Sequence, residues 1–261
     1  MKYEDMLNTI TLGDSYELIK NIPDNSVDLV VIDPPYEFTS FTGGSDLGKR
    51  KYVKEYKKVY GHGANQGINK IAEEINNISN GFDFTILEEL ERVMKQTNIY
   101  IWCSKMQVGK IIKYYEDKKC NIDILCWHKD DPIPMCGNSY LSDTEYCIFA
   151  REEKVPLFGE VNTKRKFYVS HCNREDKKKY KHPTIKPIKI IKNLITNSSD
   201  KGDIVLDCFS GSGTTCVAAK ELDRQFIGIE IDPEYHRISL DRLNGVLANG
   251  QISLDTDLSK L

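Results

Sequence analysis

The 261-residue chain has no apolar run near the roughly 18 to 20 residues that span a bilayer; residues 27–32 are typical of its longest. Its opening residues, MKYEDMLNTITLGD, lack the apolar stretch and small-residue cleavage site of a secretory signal, so the expected location is the cytoplasm. No C-x-x-C pair occurs among the eight cysteines. The closest spacing, Cys120 to Cys126, has no second His or Cys half, which argues against zinc. Free, mostly buried thiols are the expectation in a reducing compartment. No internal repeat is present, and 17 Gly with 9 Pro exclude collagen-like and low-complexity classes. With 40% hydrophobic and 29% charged residues, the chain can build one substantial core.

The net charge of −3 conceals two basic stretches. Residues 48–58 hold six Lys/Arg against one Glu, and residues 151–181 hold ten Lys/Arg against five Asp/Glu. The remainder, with 20 basic and 33 acidic residues, stands at −13. An acidic body with two cationic segments suits local grip on a polyanion. Tyr52, Tyr56 and Tyr60 interleave the first stretch, and Phe167, Tyr168 and Tyr180 the second, offering stacking faces beside the cations.

Periodicity predicts strands at 9–13, 27–32, 98–102, 122–127, 145–150, 204–206 and 226–229. Helices are expected at 84–94, 108–117, 187–197 and 214–222, with a helical pattern through Tyr16, Leu18 and Ile19. Such alternation implies an α/β sheet with helices on both faces. Residues 38–80 read as a long, basic, glycine-rich excursion, residues 151–181 show no clear period, and residues 246–261 are polar enough to fray.

Two motifs sit at predicted strand ends. In the first, Asp207-Cys208-Phe209-Ser210-Gly211-Ser212-Gly213-Thr214-Thr215, the glycines permit a sharp turn and close ligand approach, and Thr214 or Thr215 is the candidate cap for the following helix. No P-loop lysine stands there, which argues against nucleotide hydrolysis. Glu230 lies 23 positions after Asp207, near the offset expected for a carboxylate on ribose hydroxyls, so a nucleoside-type ligand fits. In the second motif, Asp33-Pro34-Pro35-Tyr36, the prolines hold the chain extended and remove two N–H donors. What remains is an acceptor-only rim, suited to a planar amino group, with Tyr36 able to lie against an aromatic ring.

These motifs, in this order, resemble a permuted, β-group DNA amino-methyltransferase, the S-adenosylmethionine-dependent family that methylates adenine N6 or cytosine N4. His182-Pro183-Thr184-Ile185-Lys186-Pro187 matches a further element upstream of the cofactor loop, and residues 127–134 with Glu145-Tyr146 resemble the family's middle strands. Cys208 stands where many relatives have proline. The resemblance spans residues 13–242 and implies a Rossmann-like α/β fold: a mixed, mostly parallel seven-stranded sheet with helices on both faces. Residues 1–150 become the catalytic half with an inserted basic loop at 37–80, residues 151–181 the target-recognition segment, and residues 182–261 the cofactor-binding half.

The resemblance further implies that Asp33, Pro34, Pro35 and Tyr36 act on the amine. It assigns the cofactor to Asp14, Asp33, Lys186, Asp207, Phe209, Ser210, Gly211, Gly213, Thr214 and Glu230, with Glu230 on the ribose, Lys186 near the methionine carboxylate and Asp14 at the adenine moiety. His182 is expected to be structural. Hydrogen bonds from the amine to Asp33 and the Pro34 carbonyl would localise its lone pair, and alignment of nitrogen, methyl and sulfur supplies the rest. No metal is expected. The base must leave the duplex to reach such a pocket. Phosphate contacts are expected from Lys49, Arg50, Lys51, Lys164, Arg165, Lys166, Lys177, Lys178 and Lys179. Aspartate before Pro-Pro-Tyr points to adenine N6, with cytosine N4 on the same scaffold the nearest alternative. RNA or protein methylation and a non-catalytic DNA-binding role stand further off. DNA is the expected partner; a homodimer and a cognate restriction endonuclease are open.

Overall fold

The computed structural model describes residues 2–37, 81–132, 140–180 and 184–246. In chain order the elements are β1 (Thr9–Leu12), α1 (Ser15–Leu18), β2 (Leu29–Ile32), α2 (Ile86–Val93), β3 (Asn98–Cys103), α3 (Val108–Asp117), β4 (Asn121–Lys129), β5 (Thr144–Arg151), β6 (Phe167–Ser170), α4 (Arg174–Tyr180), α5 (Ile188–Ser198), β7 (Ile204–Asp207), α6 (Thr214–Glu221), β8 (Gln225–Glu230) and α7 (Pro233–Leu243). Short 3₁₀ turns occupy Tyr3–Met6 and Ile19–Asn21.

One sheet runs β1-β8-β7-β2-β3-β5-β4-β6. The pairs from β1 through β3 are parallel, β5 is antiparallel to both β3 and β4, and β6 is parallel to β4. The α/β class is as expected, with eight strands among the described residues rather than seven. The added strand, β6, comes from the segment that showed no period. It is an edge strand with Phe167 and Val169 exposed, so it never needs the alternation that betrays a half-buried strand.

Period-2 alternation divides the core between the sheet's faces. Val30 and Ile32 pack with Ile99, Ile101 and Leu206 beneath Leu87, Leu90 and Val93 of α2. Leu29 and Val31 pack with Tyr100, Trp102 and Val205 beneath Ile191 and Leu194 of α5 and Ala218 of α6. All four residues of β2 and all six of β3 are buried, as central parallel strands covered on both faces must be.

The topology decides where a ligand can bind. From β7 the chain passes through α6 to β8 on one side, whereas from β2 it continues toward α2 and β3 on the other. The crevice beyond the carboxyl ends of β7 and β2 is therefore a topological switch point. Because β5 is antiparallel to β3, with Cys103 opposite Tyr146, its first residues lie on this same edge. Among the described residues no helix is long and apolar enough to cross a membrane.

Candidate active site

A cavity of about 850 Å³ opens along the carboxyl edge of the parallel strands. Asp14 follows β1, Asp33 follows β2, Asp207 to Ser212 follow β7, and Glu230 ends β8; all line it. Its volume lies in the range of a small-molecule site. Tyr16, Phe82, Asp83, Trp102, Thr184, Ile185 and Lys186 complete its lining.

The Gly-rich loop is held by backbone geometry and one carboxylate. Gly211 and Gly213 have φ of +50° and +75°, the left-handed region open to glycine at little cost. A Cβ on Gly213 would come within 3.0 Å of Ile10 Cδ1 and of Ser239 Cβ. Gly211 N–H donates to Glu230 Oε2 at 2.6 Å and Asp232 N–H to Oε1 at 2.8 Å, so Glu230 is fixed from both sides where it lines the cavity. Burial pushes its carboxyl above the ordinary value, against the pull of those N–H groups. Asp207 accepts from Phe209 N–H at 3.1 Å, and Ser210 Oγ donates to the Asp207 carbonyl at 2.8 Å. Burial raises the Asp207 carboxyl to about 7.

The expected threonine cap is corrected. Gly213 itself is the N-cap of α6, left-handed and with no side-chain cap, so neither Thr214 nor Thr215 caps. The Thr214 hydroxyl instead accepts from Arg242 Nη1 of α7 at 2.7 Å, and the same guanidinium donates to Ser212 Oγ at 3.2 Å. Asp14 caps α1, accepting from Tyr16 N–H at 2.9 Å, and lines the cavity as well. Tyr16 Oη donates to the Asp83 carbonyl at 3.0 Å and accepts from Asp83 N–H at 2.8 Å, tying Asp83 to α1.

Asp33 is the focus of the other end. Its Oδ2 is paired with Lys186 Nζ, whereas Oδ1 is buried with no hydrogen-bond partner. Burial raises the Asp33 carboxyl despite Lys186. Pro35 lines the cavity and its carbonyl accepts from Gln107 Nε2 at 3.1 Å; Pro34 is buried. Tyr36 Oη donates to Glu145 Oε2 at 3.1 Å. Lys186, 5% exposed, reaches the same Oε2 at 3.1 Å, and its Nζ lies 5.3 Å from the ring centroids of both Tyr36 and Trp102. Burial opposes the Lys186 charge, but Asp33 and Glu145 outweigh it and raise its pKa. The ammonium expected to face a free cofactor carboxylate is thus already engaged by Asp33.

Of the basic clusters, Lys49, Arg50 and Lys51 lie outside the described residues, as do His182, Pro183 and Cys136. The seven described cysteines are free thiols. Lys164, Arg165 and Lys166 are exposed before β6, with Lys166 paired to Asp123. Lys177, Lys178 and Lys179 form the last turn of α4; burial lowers the Lys177 pKa, while Lys178 is exposed. Tyr168 is not a free stacking face, because its hydroxyl accepts from Asn193 Nδ2 at 2.8 Å and its ring packs on the core. Phe167 is 58% exposed, with one ring face stacked on His128, centroids 6.0 Å apart.

Composition and period did not single out Glu145, Lys129, Trp102 or Arg242. Glu145 and Lys129 flank apolar strands, and only the antiparallel pairing of β4 with β5 brings them to the edge where Asp33 ends.

Residues 27–241 match the family model described as DNA methylase, of the N6 and N4 enzymes. The type II methyltransferase M2.LlaDCHI of Lactococcus lactis subsp. cremoris is 30% identical, the match covering 93% of this chain and 91% of that protein. The type II methyltransferase M2.MboI of Moraxella bovis is 29% identical, over 93% of this chain and 90% of that protein. The crystal structure of the M1.HpyAVI–SAM complex superposes with a TM-score of 0.62 at 25% identity, covering 90% of this chain and 98% of that one. The cytosine-N4-specific PvuII DNA methyltransferase shares the fold, with a TM-score of 0.59 at 16% identity over 95% of this chain and 97% of that one.

Proposed function

Because the chain belongs to the DNA methylase family of N6 and N4 enzymes, we propose that this DNA methyltransferase acts on N6 of an adenine turned out of the duplex. The observation that carries amine methylation is the buried, unpartnered Oδ1 of Asp33, an acceptor at the cavity wall just before two prolines that supply no N–H, while the aspartate before Pro-Pro-Tyr favours adenine over cytosine. One N–H of an exocyclic amine satisfies Oδ1, and the Pro34 carbonyl is the acceptor for the second. Both bonds draw the amine toward tetrahedral geometry and localise its lone pair. Tyr36, its hydroxyl anchored on Glu145, offers a ring face to the base.

The cavity suits S-adenosylmethionine. The turn with positive φ at Gly211 and Gly213 lets a ligand approach the backbone, and Glu230 presents a carboxylate to ribose hydroxyls. Asp14, Asp33, Asp207 and Glu230 together make an acidic rim for a cationic ligand. When bound, S-adenosylmethionine supplies a methyl carbon made electrophilic by its sulfonium. Asp14 and Phe209 flank the adenosyl side, Ser210 and Thr214 shape the loop, and Lys186 holds Asp33 in place. Orientation carries the rate, since the donor needs no enzyme nucleophile. The exposed cations of residues 164–166 and of α4 take the phosphates. The type II names of the relatives suggest a place in restriction–modification.

The test is nucleoside analysis of unmodified mixed-sequence DNA incubated with labelled S-adenosylmethionine and the protein, with Asp33→Ala alongside. N6-methyladenine from the wild type and none from Asp33→Ala is the expected result. N4-methylcytosine would correct the base, and label only in a parallel RNA sample would overturn the substrate.

A further inference from the structure

Glu145 stands at the centre of a charge cluster that the proposed chemistry does not by itself require. Its Oε2 accepts from Tyr36 Oη and from Lys186 Nζ, each at 3.1 Å, and its Oε1 is paired with Lys129 Nζ. Lys186 is shared in turn with Asp33 Oδ2. Two carboxylates and two ammonium groups therefore alternate Lys129–Glu145–Lys186–Asp33, reaching from the paired ends of β4 and β5 to the end of β2. Tyr36 is held by the same oxygen that holds Lys186.

We propose that Glu145 is a positioning residue for methyl transfer, dividing the Lys186 ammonium between two carboxylates so that Asp33 keeps a strong free acceptor oxygen, and fixing the ring of Tyr36. The inference rests on the role of Asp33 proposed above. Were Glu145 neutral, Lys186 would pair with Asp33 alone, weakening the Oδ1 acceptor and shifting the Tyr36 hydroxyl toward Asp33. Burial pushes the Glu145 carboxyl up, but Lys186 and Lys129 overcome it and hold it at about 2, so Glu145 stays ionised throughout the working range. The groups facing Asp33 are Lys186, Glu145 and Tyr36, with Cys103 of β3, Cys147 of β5 and Asp207 of β7 beyond them. Lys177 of α4 also faces Glu145. Among these, Glu145 raises the Asp33 carboxyl and Lys186 lowers it.

Signs follow for two substitutions. Glu145→Gln removes a like charge near Asp33, so the acid limb of kcat/KM moves to lower pH. Lys129→Met removes a cation from the far end of the cluster and leaves the Glu145 carboxylate to draw the Lys186 ammonium away from Asp33, so the limb moves to higher pH. Glu145→Gln should also lose roughly 10- to 100-fold in kcat, the range typical of outer-shell partners at other sites, with S-adenosylmethionine affinity changed less than about threefold. A residue that merely supports the fold would lower stability without moving the limb in opposite directions.

The experiment is a pH series of DNA methylation by wild type, Glu145→Gln, Lys129→Met and Asp33→Ala, with cofactor affinity measured calorimetrically. Opposite shifts, with kcat lost and cofactor binding kept in Glu145→Gln, are the expected result. Should Glu145→Gln not fold, the upward shift in Lys129→Met decides alone. A dead Asp33→Ala beside unmoved limbs overturns this inference and leaves the reading of Asp33 standing. An active Asp33→Ala overturns that reading, and this inference with it.

Discussion

Asp207 is 4% exposed at the end of β7, close to Asp33 and Glu230, and burial raises its carboxyl to about 7. An unfolded aspartate titrates near 4, so between about pH 4 and pH 7 the folded protein holds a proton that the unfolded chain has released. Stability from this residue is therefore present at low pH and is lost as pH rises toward 7. Asparagine keeps the Oδ1 that accepts from Phe209 N–H and does not titrate. Asp207→Asn should accordingly be favoured over wild type by about 2 kcal/mol more at pH 8 than at pH 5, or roughly 4–8 °C in relative Tm. Thermal melts of both proteins at the two pH values check this; an equal difference at both would mean that Asp207 is ionised in the folded state. The same residue illustrates what local sequence conveys. Its place at a strand end before a Gly-rich turn was legible, whereas the raised carboxyl depends on burial that only the assembled sheet provides, with Asp33 and Glu230 of neighbouring strands adding to it.

At the scale of elements, strands with complete cover were the legible ones. β2 and β3 are apolar runs buried on both faces, and α3 keeps the bounds that its period predicts. β6 and α4 were not legible, because neither buries any residue fully, leaving both without an apolar period. Glu145 was legible only as part of the family resemblance, and its place in the charge cluster was not, because that depends on the pairing of Trp127 with Glu145 across β4 and β5. For α4 the structure sharpens the expectation about DNA. Lys177 faces the Glu145 cluster, Lys178 is exposed, and Lys179 lies with its Nζ 5.2 Å from the Tyr180 ring centroid. Phosphate contact is then expected of Lys178 and Lys179. Substituting both with glutamine should weaken binding of all duplexes alike and flatten the slope of log K against log salt by about 2. Titrations on two unrelated duplexes at several salt concentrations measure this. Loss confined to one sequence would instead make these lysines readers of bases.

At the scale of the whole molecule, the permuted motif order has a mechanical consequence. β7, from the later half of the chain, lies between β8 and β2, so the cofactor loop and the Asp33 segment hang from adjacent strands of one sheet. Neither half can leave without opening the β7–β2 pair and both core clusters. The chain's two tryptophans provide a local probe: Trp102 on β3 and Trp127 on β4 are both buried, on the side of the sheet away from β8 and β1. A ligand held at Gly211 and Glu230 should then stabilise the tryptophan side as much as its own. At a hundredfold excess over its Kd, S-adenosylmethionine would add about 2.7 kcal/mol. For a domain of this size that is a rise in Tm of roughly 5–10 °C. Far-ultraviolet circular dichroism, which reports every element, and tryptophan fluorescence should share one midpoint without ligand and move together with it. In Gly213→Ala both shifts should shrink, because a Cβ there meets Ile10 and Ser239 in a backbone conformation costing an L-residue about 1–2 kcal/mol, and the loop must shift. Separate midpoints, or a ligand shift seen by dichroism alone, would mean that the two halves fold as independent units despite the shared sheet.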